Sequence, residues 1–591
     1  MRRRLALLLA LLLAPAAPRV THAAWVQTGS PLCTVPDDLN VPIGYPGIFC
    51  NIHCGGILTV YWQDARFDFG SIYTASVDDI PPPDPQPVEP GTLFIQRPGK
   101  QIPGGAASVY TKCLAQFCTG LATVFVWTDA PDAAPSVVRM RRDGGAEIRD
   151  WGPDGVIVAT STGSQHDASV IHDLHGGAIT AWLDETPDHR LAYAQRLDSL
   201  GTRLWGDAGV LVGSDTTVQT RPLLAPDGSG GAYVLREDLR RGVRTLALFR
   251  LAPDGTIEAG WPAAGVVLGT APLESPEPLL RAGSGGAWVV WSELVTLADN
   301  SVATRPFVSF VDLSGVVSPV LLVAGTPVAS GLDGDAVADD ATVGTGDDLI
   351  VAYEYTQILP GPSATSTDLY AARFEVEGSH PVGWPAGGLL VCDAPGVQRQ
   401  ARLFGGGTTF FAWTDERSGD GDIYAQELRS DGTLPPDWPV NGLLVCGVAG
   451  TQQDPVIGPN TVGGGFIIWR DGRDAITNAW DLYGQTVSGD ARLDVERHVS
   501  TVFALSAPRP NPARGVVRFQ LELREPRAAR FEVLDVAGRL VHREQLAAAA
   551  GPRQLTWDLR TDQGDRARPG LYLVRVRAGS FEKATRVVVT E

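Results

Sequence analysis

The groups of this 591-residue chain that can do chemistry are nine His, seven Cys and 67 acidic side chains. The densest histidine cluster is His166-Asp167-x4-His172-Asp173-x-His175, a set of nitrogen and oxygen donors that suits a transition metal. Strand alternation would turn His172 and His175 to opposite faces, so the cluster reads better as a loop at a sheet edge. Asp415, Asp420 and Asp422, and Asp333, Asp335, Asp339 and Asp340, offer oxygens to Ca²⁺. Neither group follows a calcium-loop spacing, and solvated turns are the preferred reading. Cys50-x3-Cys54 and Cys113-x4-Cys118 resemble halves of zinc sites, but no matching pairs stand at regular distances. A glycosidase pair needs two carboxyls at a set separation in space, which order along the chain does not reveal. There is no Gly-x-Ser-x-Gly elbow, His-Glu-x-x-His helix or Walker loop. No catalytic, metal or cofactor residue is therefore assigned, and Ca²⁺ is the one ion the acidic loops suggest.

What must position any such group is a repeat. Gly-Gly, a strand ending in an aromatic, an acidic turn, a second strand and Trp-x3-Gly recur along the chain. Equivalent anchors are Trp62, Trp127, Trp182, Leu235, Trp291, Tyr353, Trp413 and Trp469, spaced 65, 55, 53, 56, 62, 60 and 56 residues apart. Each copy holds four short apolar runs, separated by turns such as Pro226-Asp227-Gly228, Pro253-Asp254-Gly255 and Ser430-Asp431-Gly432. Four strands per repeat cannot bury both faces alone, so the pattern predicts an all-β propeller of seven or eight blades. The recurrent Trp residues are expected to pack between blades.

The eighth copy lacks its Trp-x3-Gly strand, and Trp25-x3-Gly29-x3-Cys33 supplies the same spacing near the N-terminus. The expectation is a last blade built from residues 455–490 plus 25–34, with Trp25 close to Tyr483, so that no edge stays open. Before it, Met1-Arg2-Arg3-Arg4, the apolar run Leu5 to Ala14, Pro15, Pro18 and Ala23-Ala24 have the layout of a secretory signal peptide, residues 1–24. That run is shorter than the ~20 residues of a membrane span. Export suits the seven cysteines, for which Cys50/Cys54 and Cys113/Cys118 are the expected disulfides, leaving Cys33, Cys392 and Cys446 on equivalent outer strands.

Charge divides the chain again. Residues 25–502 hold 28 Lys+Arg and 57 Asp+Glu, whereas 503–591 hold 16 and 10. Net charge over the whole is −19, which argues against nucleic acid as the partner. Past Pro508-Arg509-Pro510-Asn511-Pro512, alternating runs such as Leu571 to Arg577 predict a small antiparallel β-sandwich. The expected organisation is thus propeller 25–500 and sandwich 501–591.

Pro510-Asn511-Pro512, Asp535-x2-Gly538-Arg539, Trp557-Asp558 and Pro569-Gly570-x-Tyr572 resemble the immunoglobulin-like module of the flagellar hook-capping protein family. They are also similar to the C-terminal sorting domains of type IX secretion cargo. The resemblance covers the last 85 or so residues and implies a domain serving export, surface attachment or spacing. The propeller part resembles repeat arrays of secreted bacterial proteins, through Trp413-Thr414-Asp415-Glu416-Arg417…Asp422-Ile423-Tyr424-Ala425-Gln426 and Trp469-Arg470-Asp471-Gly472-Arg473…Asp481-Leu482-Tyr483-Gly484-Gln485.

Because the recurrent Asp and Arg follow strand ends in every copy, as turn residues do, the favoured expectation is a non-catalytic exported protein. It would sit outside the cell or at its surface and present the propeller to a glycan or protein ligand. Its C-terminal domain would engage secretion or outer-membrane attachment machinery. The alternative is a propeller hydrolase or lyase acting on extracellular polysaccharide.

Overall fold

The computed structural model describes strand segments between residues 30 and 118 and most of the chain from 121 to 590. The longest gaps beyond 121 fall at 145–150, 359–364, 474–479 and 492–502. The leader 1–24, Trp25 and Cys54 lie outside the described residues. The chain forms two compact units, Met1–Val495 and Glu496–Glu591.

The described residues contain no helix. In the first unit they form eight four-stranded antiparallel sheets and one two-stranded hairpin, in which Cys113 stands opposite Cys118. In seven of the sheets the strands are ordered as in the chain. Sheet six, for example, runs Asp335–Val343, Leu349–Ile358, Thr365–Phe374 and Leu389–Cys392, and sheet seven runs Gln398–Gly405, Thr408–Asp415, Asp422–Arg429 and Leu443–Cys446. The eighth joins Gln452–Pro459, Gly465–Asp471 and Asp481–Val487 to Ser30–Cys33, with Ser30 opposite Gly484 and Pro31 opposite Tyr483. The N-terminal segment thus completes the last sheet.

Burial explains the apolar runs. Every residue of Asp481–Val487 is buried, and so is all but the last of Ala178–Glu185, because the middle strands lie between two other sheets. The cores sit between consecutive sheets. Trp182 packs with Val126 and Met140 of the preceding sheet, and Trp413 with Ile350 and Leu369. The first strands of successive sheets lie side by side from Ile48–His53 onward, and Gln452–Pro459 in turn neighbours Ile48–His53.

The repeat motif acquires a physical meaning here. Trp205 Nε1 and Arg196 Nη1 both donate to the carbonyl of Pro253 in the next sheet, each at 3.0 Å. Trp261 and Arg250 do the same to Leu313, and Trp384 and Arg373 to Ser430. The glycine of Trp-x3-Gly gives room to the anchor ring. Gly442 has φ +89°, and a Cβ there would lie 2.3 Å from Trp413.

The second unit is one five-stranded antiparallel sheet assembly, in which Val517–Asp535 pairs with Phe503–Leu505, Leu540–Trp557 and Gly570–Ala578, and Phe581–Val589 pairs with the last. Phe519, Phe531, Trp557, Val574 and Val587 form its core. Its sequence signatures are turn locks. Arg539 donates its backbone N–H and Nε to Asp535 at 2.9 and 2.7 Å, and the Tyr572 hydroxyl reaches back to the Arg568 carbonyl at 2.8 Å.

Candidate functional site

Several carboxylates of the first unit are held within their own sheet. Two residues after the anchor, Asp415 accepts Trp413 Nε1 at 2.9 Å and is gripped by Arg417 through Nε and Nη2 at 2.8 and 2.6 Å. Asp471 repeats this with Trp469 and Arg473. Each arginine also stacks on the aromatic of the third strand, Tyr424 at 3.9 Å and Tyr483 at 3.7 Å. The Trp-x-Asp-x-Arg signature is therefore a buried brace. It also leaves Asp415 no oxygen for a cation, while Asp422 accepts the Ser418 hydroxyl at 2.6 Å.

The first strands behave differently. Each of several carries a bulge opposite its anchor aromatic: Asp167 and Ala168 face Trp182, Gln400 and Ala401 face Trp413, and Asp454 and Pro455 face Trp469. Asp339 is the extra residue in sheet six, beside Tyr353. Asp167, Gln400 and Asp454 hold left-handed backbones, with φ of 55°, 59° and 54°. Bulges re-aim side chains. Here they bring polar groups from neighbouring sheets into contact.

Asp339 and Glu354 meet at this level, joined by a side-chain hydrogen bond. Two carboxyls can share such a bond only if one keeps a proton. Burial, the charge of Glu354 and that hydrogen bond together hold the Asp339 carboxyl well above the ordinary carboxylate range. Sheet seven supplies the remaining support. Ala401 N–H donates to Asp339 at 2.9 Å and Gln400 N–H to Glu354 at 2.8 Å. The Gln400 amide continues to Asp454, whose other oxygen takes Arg470, and Thr414 Oγ donates to Gln400 at 2.9 Å. Asp339, Glu354, Gln400 and Asp454 are all partly buried, each keeping some accessible surface.

The sequence candidates are placed as follows. Asp340 does not join Asp339: it accepts from Arg281 and from Leu403 N–H, tying three sheets together. Asp333 accepts the Tyr355 hydroxyl and Asp335 the Thr304 N–H. In the histidine cluster, His166 lies between Asp167 and Glu185 at 2.9 and 2.8 Å, and the Asp167 bond raises its pKa. His175 turns instead to the Asp173 carbonyl and Arg196, and burial lowers the pKa of His172. The three do not converge, and no set of three His, Cys, Asp or Glu side chains among the described residues could hold a metal. Cys392 and Cys446 are buried thiols pushed up to about 12 and about 11, chiefly by burial. Sequence reasoning missed Glu354. Its signal is positional, an acid directly after the anchor where other copies have Leu183, Arg236, Thr414 or Arg470.

Residues 511–581 match the family model of the FlgD Ig-like domain, which covers the C-terminal module alone. No curated protein matches the chain. Among solved structures, the chain is similar to a PL25 polysaccharide lyase, an ulvan lyase, at 11% identity over 80% of this chain and 96% of that one, TM-score 0.40. The same kind of lyase bound to -[GlcA(1-4)Rha3S]- aligns at 12% identity over 80% and 97%, TM-score 0.39. A GH93 α-L-arabinofuranosidase of Fusarium graminearum, in complex with arabinobiose, aligns at 11% over 56% and 96%, TM-score 0.30. The expectation of a non-catalytic binding or structural protein, with no enzymatic activity, is corrected at this point: the similar solved structures are polysaccharide-degrading enzymes. The physical reason lies in the repeat itself. The inference from repeat-wide turn carboxylates holds for Asp415 and Asp471 but fails for Asp339 and Glu354, which bind each other rather than an arginine of their own sheet.

Proposed function

We propose that the first unit is an eight-bladed propeller that cleaves an extracellular polysaccharide, with the Asp339–Glu354 pair as the proton donor to the leaving glycosidic oxygen. The observation that carries this reading is the carboxyl pair itself, held by Ala401 N–H on Asp339 and Gln400 N–H on Glu354: a carboxyl whose pKa burial and an acidic neighbour raise is suited to general acid catalysis. Ring closure is supported by the side-by-side first strands and by the N-terminal strand in the eighth sheet. Directly bonded carboxyls stand closer than the ~5 Å that separates acid and nucleophile in a retaining glycosidase, so the pair acts as one group. Asp454, on the far side of Gln400, is then the base, and the Gln400 amide and Arg470 orient it. A rim of carboxylates, amide and guanidinium suits a polyhydroxylated chain. Export by the N-terminal leader, and surface attachment through the C-terminal module, complete the reading.

The test is turnover of a panel of neutral and uronate-containing polysaccharides, with Asp339→Asn and Glu354→Gln beside the wild type. New reducing ends alone indicate a hydrolase, and an ultraviolet-absorbing unsaturated product indicates a lyase. Cleavage that survives both substitutions undiminished, or a panel left wholly intact, would sink the proposal.

A further inference from the structure

The first unit uses tryptophan to fill its cores, with one departure. We infer that this residue, Trp480, is the platform on which a pyranose unit of the substrate lies beside Asp454, an inference that rests on the polysaccharide reading above. Every other described tryptophan is at most 7% exposed, whereas Trp480 is only half-buried. It stands immediately before Asp481–Val487, where four other sheets have Ser136, His189, Ser301 and Gly421. The repeat therefore does not call for an indole at this place. Leaving a large ring partly in water also forgoes the burial that stabilises the other tryptophans.

Its surroundings tie it to the proposed site. The six-membered edge of the ring rests on Gly472, where a Cβ would come within 3.3 Å of it. The Arg470 guanidinium lies 5.3 Å from the ring centroid and donates to Asp454, whose side chain is 34% exposed. One guanidinium thus links the indole to an accessible carboxylate. The anchors Trp413 and Trp469 spend their N–H groups on Asp415 and Asp471, but the Trp480 N–H donates to no described residue and is not among the buried polar atoms. An apolar ring with an unused donor at its edge, beside an open carboxylate, matches a pyranose: its C–H face lies on the indole and a hydroxyl accepts the N–H.

The experiment is affinity electrophoresis of the full chain through gels holding xyloglucan, galactomannan, polygalacturonate or alginate, with kinetics on any polymer that is cleaved. At least one polymer is expected to retard the wild type. Trp480→Ala should weaken that retardation about tenfold and raise KM by a similar factor, with kcat kept within about threefold, because binding shared by ground and transition states moves KM alone. Trp480→Phe keeps a stacking surface and should lose only about threefold. In the wild type, which needs no substitution, the retarding polymer should shield Trp480 from oxidation by N-bromosuccinimide, read by peptide mass spectrometry. Retardation by none of the four, retardation unmoved by Trp480→Ala, or an unshielded Trp480 would each overturn the platform. So would a fall in kcat at unchanged affinity, which would make Trp480 a support for Arg470 and Asp454. The two readings fail separately: a polymer bound through Trp480 but never cut removes the catalytic pair and keeps the platform, and cutting indifferent to Trp480 does the reverse.

Discussion

Asp415 and Asp339 are both aspartates in adjacent copies of the repeat, sheets seven and six, yet they stand in opposite chemical conditions. Asp415 is fully enclosed and neutralised by Arg417 of its own sheet, with Trp413 completing its bonds. Asp339 is partly open, and its side chain is hydrogen-bonded to another acid, Glu354. A carboxylate that its own repeat unit satisfies is part of the fold. One that burial and an adjacent acid together disfavour as an anion is the candidate for the proposed chemistry. The comparison separates brace from reagent more cleanly than residue type or sequence spacing.

The largest expected effect tests the reagent. Asp339→Asn should lower turnover by roughly two to four orders of magnitude, while thermal melting near neutral pH stays level or rises because the fold no longer has to hold a carboxyl proton there. A variant equally active, or active but unstable, would erase the distinction. Next comes the brace. Asp415→Ala strands the Arg417 guanidinium, and a denaturant titration should show a loss of about 3 kcal/mol with activity per folded molecule retained. Gly442→Ala is expected to cost about 2 kcal/mol, since a left-handed backbone and a Trp413 clash combine there. Gly152→Ala, at φ +84° with open space around it, should cost about half as much.

The smallest effect is in pH. The native state holds the Asp339 proton between the unfolded value of about 3.9 and its own raised pKa, so it binds more protons than the unfolded chain there. Stability from this group therefore falls as pH rises through that window. Asp431 has the opposite sign: the Thr433 hydroxyl lowers its pKa, so its stabilisation is present above the ordinary value and lost as pH falls through the lowered one. Melting curves of wild type and Asp339→Asn from about pH 4 to about pH 8 should diverge upward in the variant. Parallel curves would remove the proton from the account.

Much of the scaffold was legible because its cues are local. Trp-x3-Gly encodes a positive-φ turn under an aromatic ring, Trp-x-Asp-x-Arg encodes a buried brace, and the orphan Trp25-x3-Gly29 strand predicts which end completes the eighth sheet. The C-terminal turn locks at Asp535 and Tyr572 were readable for the same reason. The candidate site was not. Asp339 appeared only as one of four acids in a suspected calcium loop, and nothing local distinguishes it from Asp340, which ties three sheets together. Glu354 lies fifteen residues further on, across a bulge whose register sets the meeting. The Gln400 and Ala401 N–H groups that hold the pair come from another repeat altogether.

One pairing carries a further consequence, in time rather than in space. Ser30 hydrogen-bonds in register with the strand holding Gly484, about 450 residues later, among the most distant partners the chain has. Ser30–Cys33, the earliest strand among the described residues, cannot pair until Asp481–Val487 has been made, and until then the eighth sheet presents an open edge. A cut near either end of the first unit removes the same set of hydrogen bonds. Ser30–Cys33 and Asp481–Val487 belong to one sheet, and they are lost or kept together.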